Sequence, residues 1–321
     1  MVQRRILSGL AIGAIWLAAA SVPVSATFPG SNGRIAFASV AAGDLDIWTM
    51  NADGSGSVNV TDLAGAPGFD LEPAWSPDGT KIAFRSGRTS AAEIYTVNVD
   101  GTGLTRLTFN SVKDYAPAWS PDGSTIAFAS NRNDPDPATC VGLWGCNIDI
   151  FVMPATGGPP VQITFDSGSD AFPQFSPDGS RIAYDSDTSG VYAVYTVDLD
   201  TLAVTKLTPD SLLAGAPDWS PDGTRLTFNS NNYPCKTGTS DCRTDIFVMN
   251  VNGSSITKLT EKFGNSYDPT WSPDGDRIAF THSKGAQFKQ QQLYVMDSDG
   301  TGITRITHTN DESFGPGWGS D

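Results

Sequence analysis

Three aspartates recur at one place in a repeated pattern. Asp70, Asp114 and Asp170 each stand three residues before the proline of a Pro-x-Trp/Phe-Ser-Pro-Asp-Gly run. Carboxylates gathered in this way could hold Ca²⁺. A lone Asp at such a place could instead cap a backbone turn through an Asx hydrogen bond. Two further copies of the run carry Ala214 and Ser266 there, so the acidic set is incomplete. Asp185-Ser-Asp187-Thr-Ser189-Gly190 resembles the start of an EF-hand loop, but Thr196 stands where the bidentate Glu is needed. Only two histidines exist, His282 and His308, both in polar stretches expected to be exposed. No Gly-x-Ser-x-Gly elbow, His-Glu-x-x-His helix, P-loop or dinucleotide fingerprint occurs. The chain therefore offers no catalytic residue and no metal site, and Ca²⁺ is the one cofactor candidate.

The four cysteines fall in two close pairs, Cys140 with Cys146 and Cys235 with Cys242. An even count in an exported chain points to disulfides. Each would close a small loop, worth roughly 2–3 kcal/mol on the chain-entropy picture. Neither spacing is that of a zinc knuckle. The segments that hold them, Asn131–Asn147 and Asn229–Thr244, also carry Trp144, Tyr233, Asp134, Asp136 and Asp241. An exposed Trp in a closed loop can anchor a partner. It can equally pack its own loop onto the body beneath.

The elements that position these residues are repeated. Trp-Ser-Pro-Asp-Gly stands at Trp75, Trp119, Trp219 and Trp271, with a Phe version at Phe175 and a truncated copy ending in Trp318. A motif that returns in this way marks one structural unit copied. The unit Pro73–Thr108 contains four short apolar stretches bounded by turn residues, the signature of strands. They are expected at Pro73–Ser76, Lys81–Arg85, Glu93–Val97 and Leu104–Thr108, and are called strands A to D. Strand B reads Ile-Ala-Phe or a close variant six times, at Ile35, Ile82, Ile126, Ile182, Leu226 and Ile278. Strand D ends in an apolar residue and Thr six times, at Thr61, Thr108, Thr164, Thr208, Thr260 and Thr307. A four-stranded meander cannot bury two apolar faces alone, whereas a ring of them can. The expected fold is all-β, a six-bladed propeller of four-stranded antiparallel blades. No strand A motif precedes the first strand B, and an extra one follows the last, so the C-terminal strand is expected to complete blade 1. The A–B and C–D connections are tight. The longer B–C and D–A connections share one rim, which is the candidate binding face. That rim would also carry Thr281–Gln292 with Phe288, and the three repeated aspartates near the channel mouth.

The run D-x-x-P-x-W-S-P-D-G-x-x-I-A-F, followed by D-I-Y/F-x-M-N-x-D-G-T-G-x-T-R-L-T, resembles the propeller repeat of the TolB family across nearly all of residues 28–321. The resemblance implies a six-bladed propeller in an exported bacterial protein. In TolB the propeller follows an N-terminal α/β domain. That domain is expected to be absent here, so the role of TolB in the Tol system does not carry over with the repeat. Propeller lyases with this repeat type use several histidines, and this chain has two.

Residues 1–26 read as a signal peptide: Arg4 and Arg5, the apolar run Ile6–Ala20, and Val24-Ser25-Ala26 as the cleavage site. The alternative is a retained anchor. Residues 27–321 are expected to form the propeller, as a monomer with no membrane span in the mature chain. The net charge is −15, and the leader holds two of the positive charges. Such a surface repels nucleic acid and leaves basic or cationic partners as candidates, the plainer reading being that it keeps an exported protein in solution. The sequence thus points to an exported, periplasmic or extracellular, non-catalytic scaffold. It would bind a protein or peptide through long loops on one face. The alternative is a carboxylate- or Ca²⁺-dependent propeller hydrolase or lyase acting on an anionic or sugar substrate.

Overall fold

A computed structural model describes residues 31–61, 68–89, 91–137, 146–232, 244–261, 263, 265–283, 290–309 and 311–320. Blade 2 shows how the sequence builds each sheet. Its strands are β4 (Asp70–Trp75), β5 (Lys81–Ser86), β6 (Glu93–Asn98) and β7 (Thr105–Arg106). The Ser76–Gly79 turn joins the first two. Its Gly79 N–H donates to the Ser76 carbonyl at 2.9 Å, and Gly79 takes φ 67°, which an L side chain adopts only with strain. The Ser76 hydroxyl donates to Asp78 at 2.6 Å and accepts from the Lys81 N–H at 2.9 Å. The bond from Ser76 holds the Asp78 carboxyl below the usual range. The same Ser–Asp bond recurs at Ser120, Ser176, Ser220 and Ser272. Ser-Pro-Asp-Gly is therefore a turn device.

The Trp of the motif fastens neighbouring blades. Trp75, Trp119 and Trp219 each donate an indole N–H to a carbonyl of the preceding blade, at 3.1, 3.2 and 3.1 Å. Strand B explains its own pattern. Ile82 and Phe84 pack in one inter-blade cluster with Trp75 and Val97, while Ala83 faces the next, against Trp119 and Phe128. A larger residue than Ala there would hold the blades apart. The Thr that ends strand D has a matching task. In all six blades its hydroxyl accepts a buried N–H of strand C, at 2.9–3.0 Å. That donor would otherwise be orphaned, since strand D is only two or three residues long.

The other blades repeat this order: β8 (Asp114–Trp119) to β11 (Val161–Gln162), β12 (Asp170–Phe175) to β15 (Val204–Lys206), β16 (Leu212–Trp219) to β19 (Thr257–Lys258), and β20 (Asn265–Trp271) to β23 (Thr304–Arg305). Blade 1 is closed by the chain's last strand. β24 (Ser313–Ser320) pairs antiparallel with β1 (Asn32–Ser39), and β2 (Asp46–Met50) and β3 (Val58–Asn59) follow in the sheet. Trp318 stands opposite Ile35, and Ser313 opposite Ser39. No helix occurs among the described residues, and none is long and apolar enough to cross a membrane.

Strand A departs from expectation. It begins at Asp70, three residues earlier than the motif suggests, because Asp70 and Leu71 still pair with Ser86 and Arg85 beyond a bulge between Leu71 and Ala74. Thr281 and Gln292, expected in a loop, lie buried in strands β21 (Arg277–Ser283) and β22 (Gln291–Asp297). Asn229 and Thr244 likewise belong to strands β17 (Arg225–Asn232) and β18 (Thr244–Asn250). His282, expected to be exposed, is buried against Phe263 and Tyr294, with ring centroids 4.3 and 5.3 Å away. It stands two residues after the core Phe280, so alternation puts it on the same buried face, and the strand's other face, with Thr281, is buried too. His308 is exposed.

Candidate functional site: the channel mouth and its rim

Six A strands line the axis. In each, the residue before the conserved proline sits in a bulge with positive φ: Glu72 58°, Ala116 44°, Phe172 51°, Ala216 48°, Asp268 52° and Gly315 60°. For the five residues with a Cβ this conformation costs on the order of 1–2 kcal/mol each. The bulges border a cavity of about 300 Å³, walled by the strand A prolines and tryptophans. One backbone conformation thus presents six residues of five types to one space.

The charges around this space are mostly negative. Glu72 accepts the Ala116 N–H at 2.7 Å and pairs with Arg85 at 3.1 Å. Arg85 also lies over Phe69 and Tyr115, at 5.5 and 5.2 Å. Asp218 accepts the Trp271 N–H at 2.8 Å, yet burial still pushes its carboxyl up to about 7. Burial, with Glu72 adding like charge, pushes Asp268 up to about 7. Asp268 still borders the channel cavity, so water there tempers the effect. Asp185 on β13 (Arg181–Ser186) accepts the Ala216 N–H at 2.8 Å and is pushed up to about 8 by burial. No three His, Cys, Asp or Glu among the described residues are grouped to hold a metal ion. Asp185 and Thr196 lie on paired strands, so the EF-hand-like run does not form such a loop.

The repeated aspartates open their A strands at the rim, each in its own sheet. Asp70 is ion-paired with Arg88, and Asp114 with Arg132 at 3.0 Å. Asp170 is as buried as the others and has no such arginine. In the blade 3 insertion, Asp134 accepts the N–H groups of Asp136 and Asn147, at 2.7 and 2.6 Å, so its carboxylate ties the loop base together. Asp136 is exposed, and Cys146 is buried with no free thiol. Trp144, Tyr233, Asp241, Cys140, Cys235 and Cys242 lie outside the described residues, so both cysteine pairings do too. Sequence reasoning missed the bulge residues. It also missed two exposed rim aromatics, Phe109 (75% exposed) and Phe165 (65%). Their signal is a Thr-Phe pair after strand D in blades 2 and 3 only.

A closed ring of six meanders, stapled by tryptophans around an acidic channel mouth, defines a β-propeller of the Trp-Ser-Pro-Asp-Gly repeat type. Matches to the TolB beta propeller domain span residues 19–141, 115–233 and 210–321, and the chain belongs to that family. A Tol-Pal system protein TolB of Francisella tularensis is 32% identical over 146 residues, 42% of this chain and 30% of that protein. The matches cover less than half the length of the curated relatives. The fold is similar to TolB from Acinetobacter baumannii (TM-score 0.73, 23% identity, 92% of this chain and 68% of that one). It is also similar to a putative TolB from Agrobacterium tumefaciens (TM-score 0.63, 24% identity, 89% and 92%).

Proposed function

We propose that the protein is an exported, non-catalytic binding scaffold that captures a basic protein or peptide partner on the face bearing the channel mouth and the long B–C connections. One observation carries this reading. Six like bulges hold residues of five types, Glu72, Ala116, Phe172, Ala216, Asp268 and Gly315, around one cavity. Stability alone would be served by the same small residue six times, and glycine would relieve the backbone strain at each. The variation instead makes an asymmetric surface on a rigid frame, which suits recognition. Its acids, Glu72, Asp218 and Asp268, favour a cationic ligand group. The insertions expected within Asn131–Asn147 and Asn229–Thr244, largely outside the described residues, would belong to the same face in this reading. Disulfides Cys140–Cys146 and Cys235–Cys242 would fix their shape and lower the entropy lost on binding. Export by the 1–26 leader, to the periplasm or beyond, belongs to this reading. So does a monomeric state.

The test is affinity capture from envelope and culture fractions. It would compare the unaltered protein with a folded Glu72→Gln, Asp268→Asn variant, and with a variant in which short Gly-containing turns replace both insertions. The expected result is capture of basic proteins that falls with salt and is lost in both variants. An unchanged, salt-insensitive capture profile in both folded variants would overturn the reading.

A further inference from the structure

Blades 2, 3 and 4 carry the same rim device, but one part is missing in blade 4. In blade 3, Arg132 sits two residues after Ser130 and its guanidinium is held on three sides. It pairs with Asp114 at 3.0 Å, donates Nε–H to the Ser130 hydroxyl at 2.9 Å, and lies over Phe128 and Phe151 at 5.0 and 4.6 Å. Asn110 donates to the second Asp114 oxygen at 2.8 Å. Blade 2 repeats the set with Arg88, Asp70, Ser86, and Phe84 with Tyr95.

In blade 4 the receiving groups are all present. Asp170 opens the A strand and stands opposite Ser186, and Tyr184 stacks with Tyr195 at 5.8 Å. The Ser186 hydroxyl accepts the Thr188 N–H at 3.1 Å, as Ser130 and Ser86 accept from Arg132 and Arg88 at 3.3 Å. Thr188 therefore occupies the arginine's place, and it is exposed. Asp170 is 0% exposed, and among the described residues no cation or backbone N–H reaches its carboxylate; of side-chain donors only the Ser186 and Thr164 hydroxyls stand beside it, neither in good hydrogen-bond geometry. The neighbouring substitutions run the same way. Asp166 replaces Asn110, Asp187 replaces Gly87 or Asn131, and Gln162 faces Asp149 where Arg106 pairs with Glu93 in blade 2. A nearby cation, Lys206, lies over the Tyr195 ring at 5.7 Å and is ion-paired with Asp210.

We propose that the blade 4 rim is a guanidinium-binding subsite, in which an arginine of the partner takes the place that Arg88 and Arg132 fill from within in blades 2 and 3. This deepens the reading above, on which it rests, by naming the group that enters. A metal ion fits less well, because no three of these carboxylates converge. A planar cation instead matches an aspartate, a serine hydroxyl and an aromatic pair at once. Burial, opposed by the hydroxyls of Ser186 and Thr164 and reinforced by the charges of Asp166 and Asp149, pushes Asp170 up to about 7. A cation arriving there favours the ionised form, so binding strengthens as pH rises through 7. Asp185, Asp187 and the Tyr184 and Tyr192 phenols also surround the site. Access requires the exposed turn at Thr188, Ser189 and Gly190 to part.

The experiment titrates acetyl-Gly-Arg-Gly-amide into the full protein at pH 8 and pH 5.5, followed by NMR shifts of the tyrosine and Thr188 signals. The lysine peptide is the control. Expected are saturable shifts with the arginine peptide, at least about tenfold weaker with lysine and at pH 5.5. Thr188→Arg, which fills the place from within, and Asp170→Asn, which removes the charge, should each abolish them. Absence of saturable shifts at pH 8, or equal shifts in folded Thr188→Arg, overturns the subsite. Capture of a basic partner that survives Thr188→Arg overturns the subsite and leaves the scaffold reading intact. Peptide binding without any partner capture does the reverse.

Discussion

The same substitution at the same position of adjacent blades should change stability in opposite directions. Asp114 and Asp170 both open an A strand, both are 0% exposed, and both stand opposite a strand B serine. Asp114→Asn removes the charge that Arg132 and Asn110 hold, leaving a guanidinium only 20% exposed without its counter-ion. That costs several kcal/mol at a fully buried pair. Partial exposure of Arg132 lowers this to about 2 kcal/mol. Asp170→Asn removes a charge that no cation compensates and that only the Ser186 and Thr164 hydroxyls ease. The Asp170 carboxyl has a folded-state value of about 7 against an ordinary 3.8, raised first by burial. The folded protein therefore holds a proton that the unfolded chain releases between about pH 4 and 7. Stability from this group is fully present below about pH 4 and is lost as pH rises through 7. Three units at 1.36 kcal/mol each set an upper bound of about 4 kcal/mol, and relaxation of the site would bring it to about 2. Urea unfolding at pH 8 should show Asp114→Asn destabilised and Asp170→Asn stabilised by about 2 kcal/mol each, with the Asp170→Asn gain vanishing near pH 4. Equal losses in both variants at pH 8, or a pH-independent effect of Asp170→Asn, would refute the unpaired-carboxylate argument.

Three further outcomes follow from the fold. Deleting residues 313–321 removes β24 and Trp318 from blade 1; thermal unfolding should lose its cooperative transition, and an unchanged Tm would falsify ring closure. Thr260→Val leaves the buried Ile246 N–H without its acceptor at 2.9 Å, at a cost of about 1–3 kcal/mol; an unshifted urea midpoint would show that strand D needs no such cap. Non-reducing peptide mapping should return Cys140–Cys146 and Cys235–Cys242, and any cross-pair between blades 3 and 5 contradicts the assignment.

The fold was legible because every blade solves one packing problem with the same residues. Strand B shows its alternation, the turn shows Pro and Gly, and strand D ends on a Thr whose hydroxyl has a fixed acceptor role. The start of strand A was not legible. Its bulge has no residue type of its own, since Glu72, Ala116, Phe172, Ala216 and Asp268 share only a place before proline. His282 was misjudged because a polar neighbourhood in sequence says little about which face of a strand a residue takes. Of the candidate site, the three aspartates were visible but their partners were not. Ser86-Gly-Arg88, Ser130-Asn-Arg132 and Ser186-Asp-Thr188 carry the distinction, and it emerges only when the triplets are superposed on known strand ends.

Repetition gives this chain its own controls. The threonine hydroxyls and the Ser-Pro-Asp-Gly turns hardly vary where the same backbone donors must be satisfied, so their role is structural. Where the backbone repeats but the side chains diverge, packing is not what chose them, because the same frame accepts Gly315 and Phe172 alike. Blade 4 adds a third case, in which the frame, the serine and the aromatic pair persist while Thr188, Asp166 and Gln162 stand where Arg132, Asn110 and Arg106 surround Asp114, and Lys206, the cation nearby, is paired with Asp210. A single drifted residue would need no explanation. The coordinated loss of the Arg132, Asn110 and Arg106 equivalents around a carboxylate that stays buried leaves a group that either keeps its proton or takes a cation from outside the chain, the second being the proposal made for the blade 4 rim.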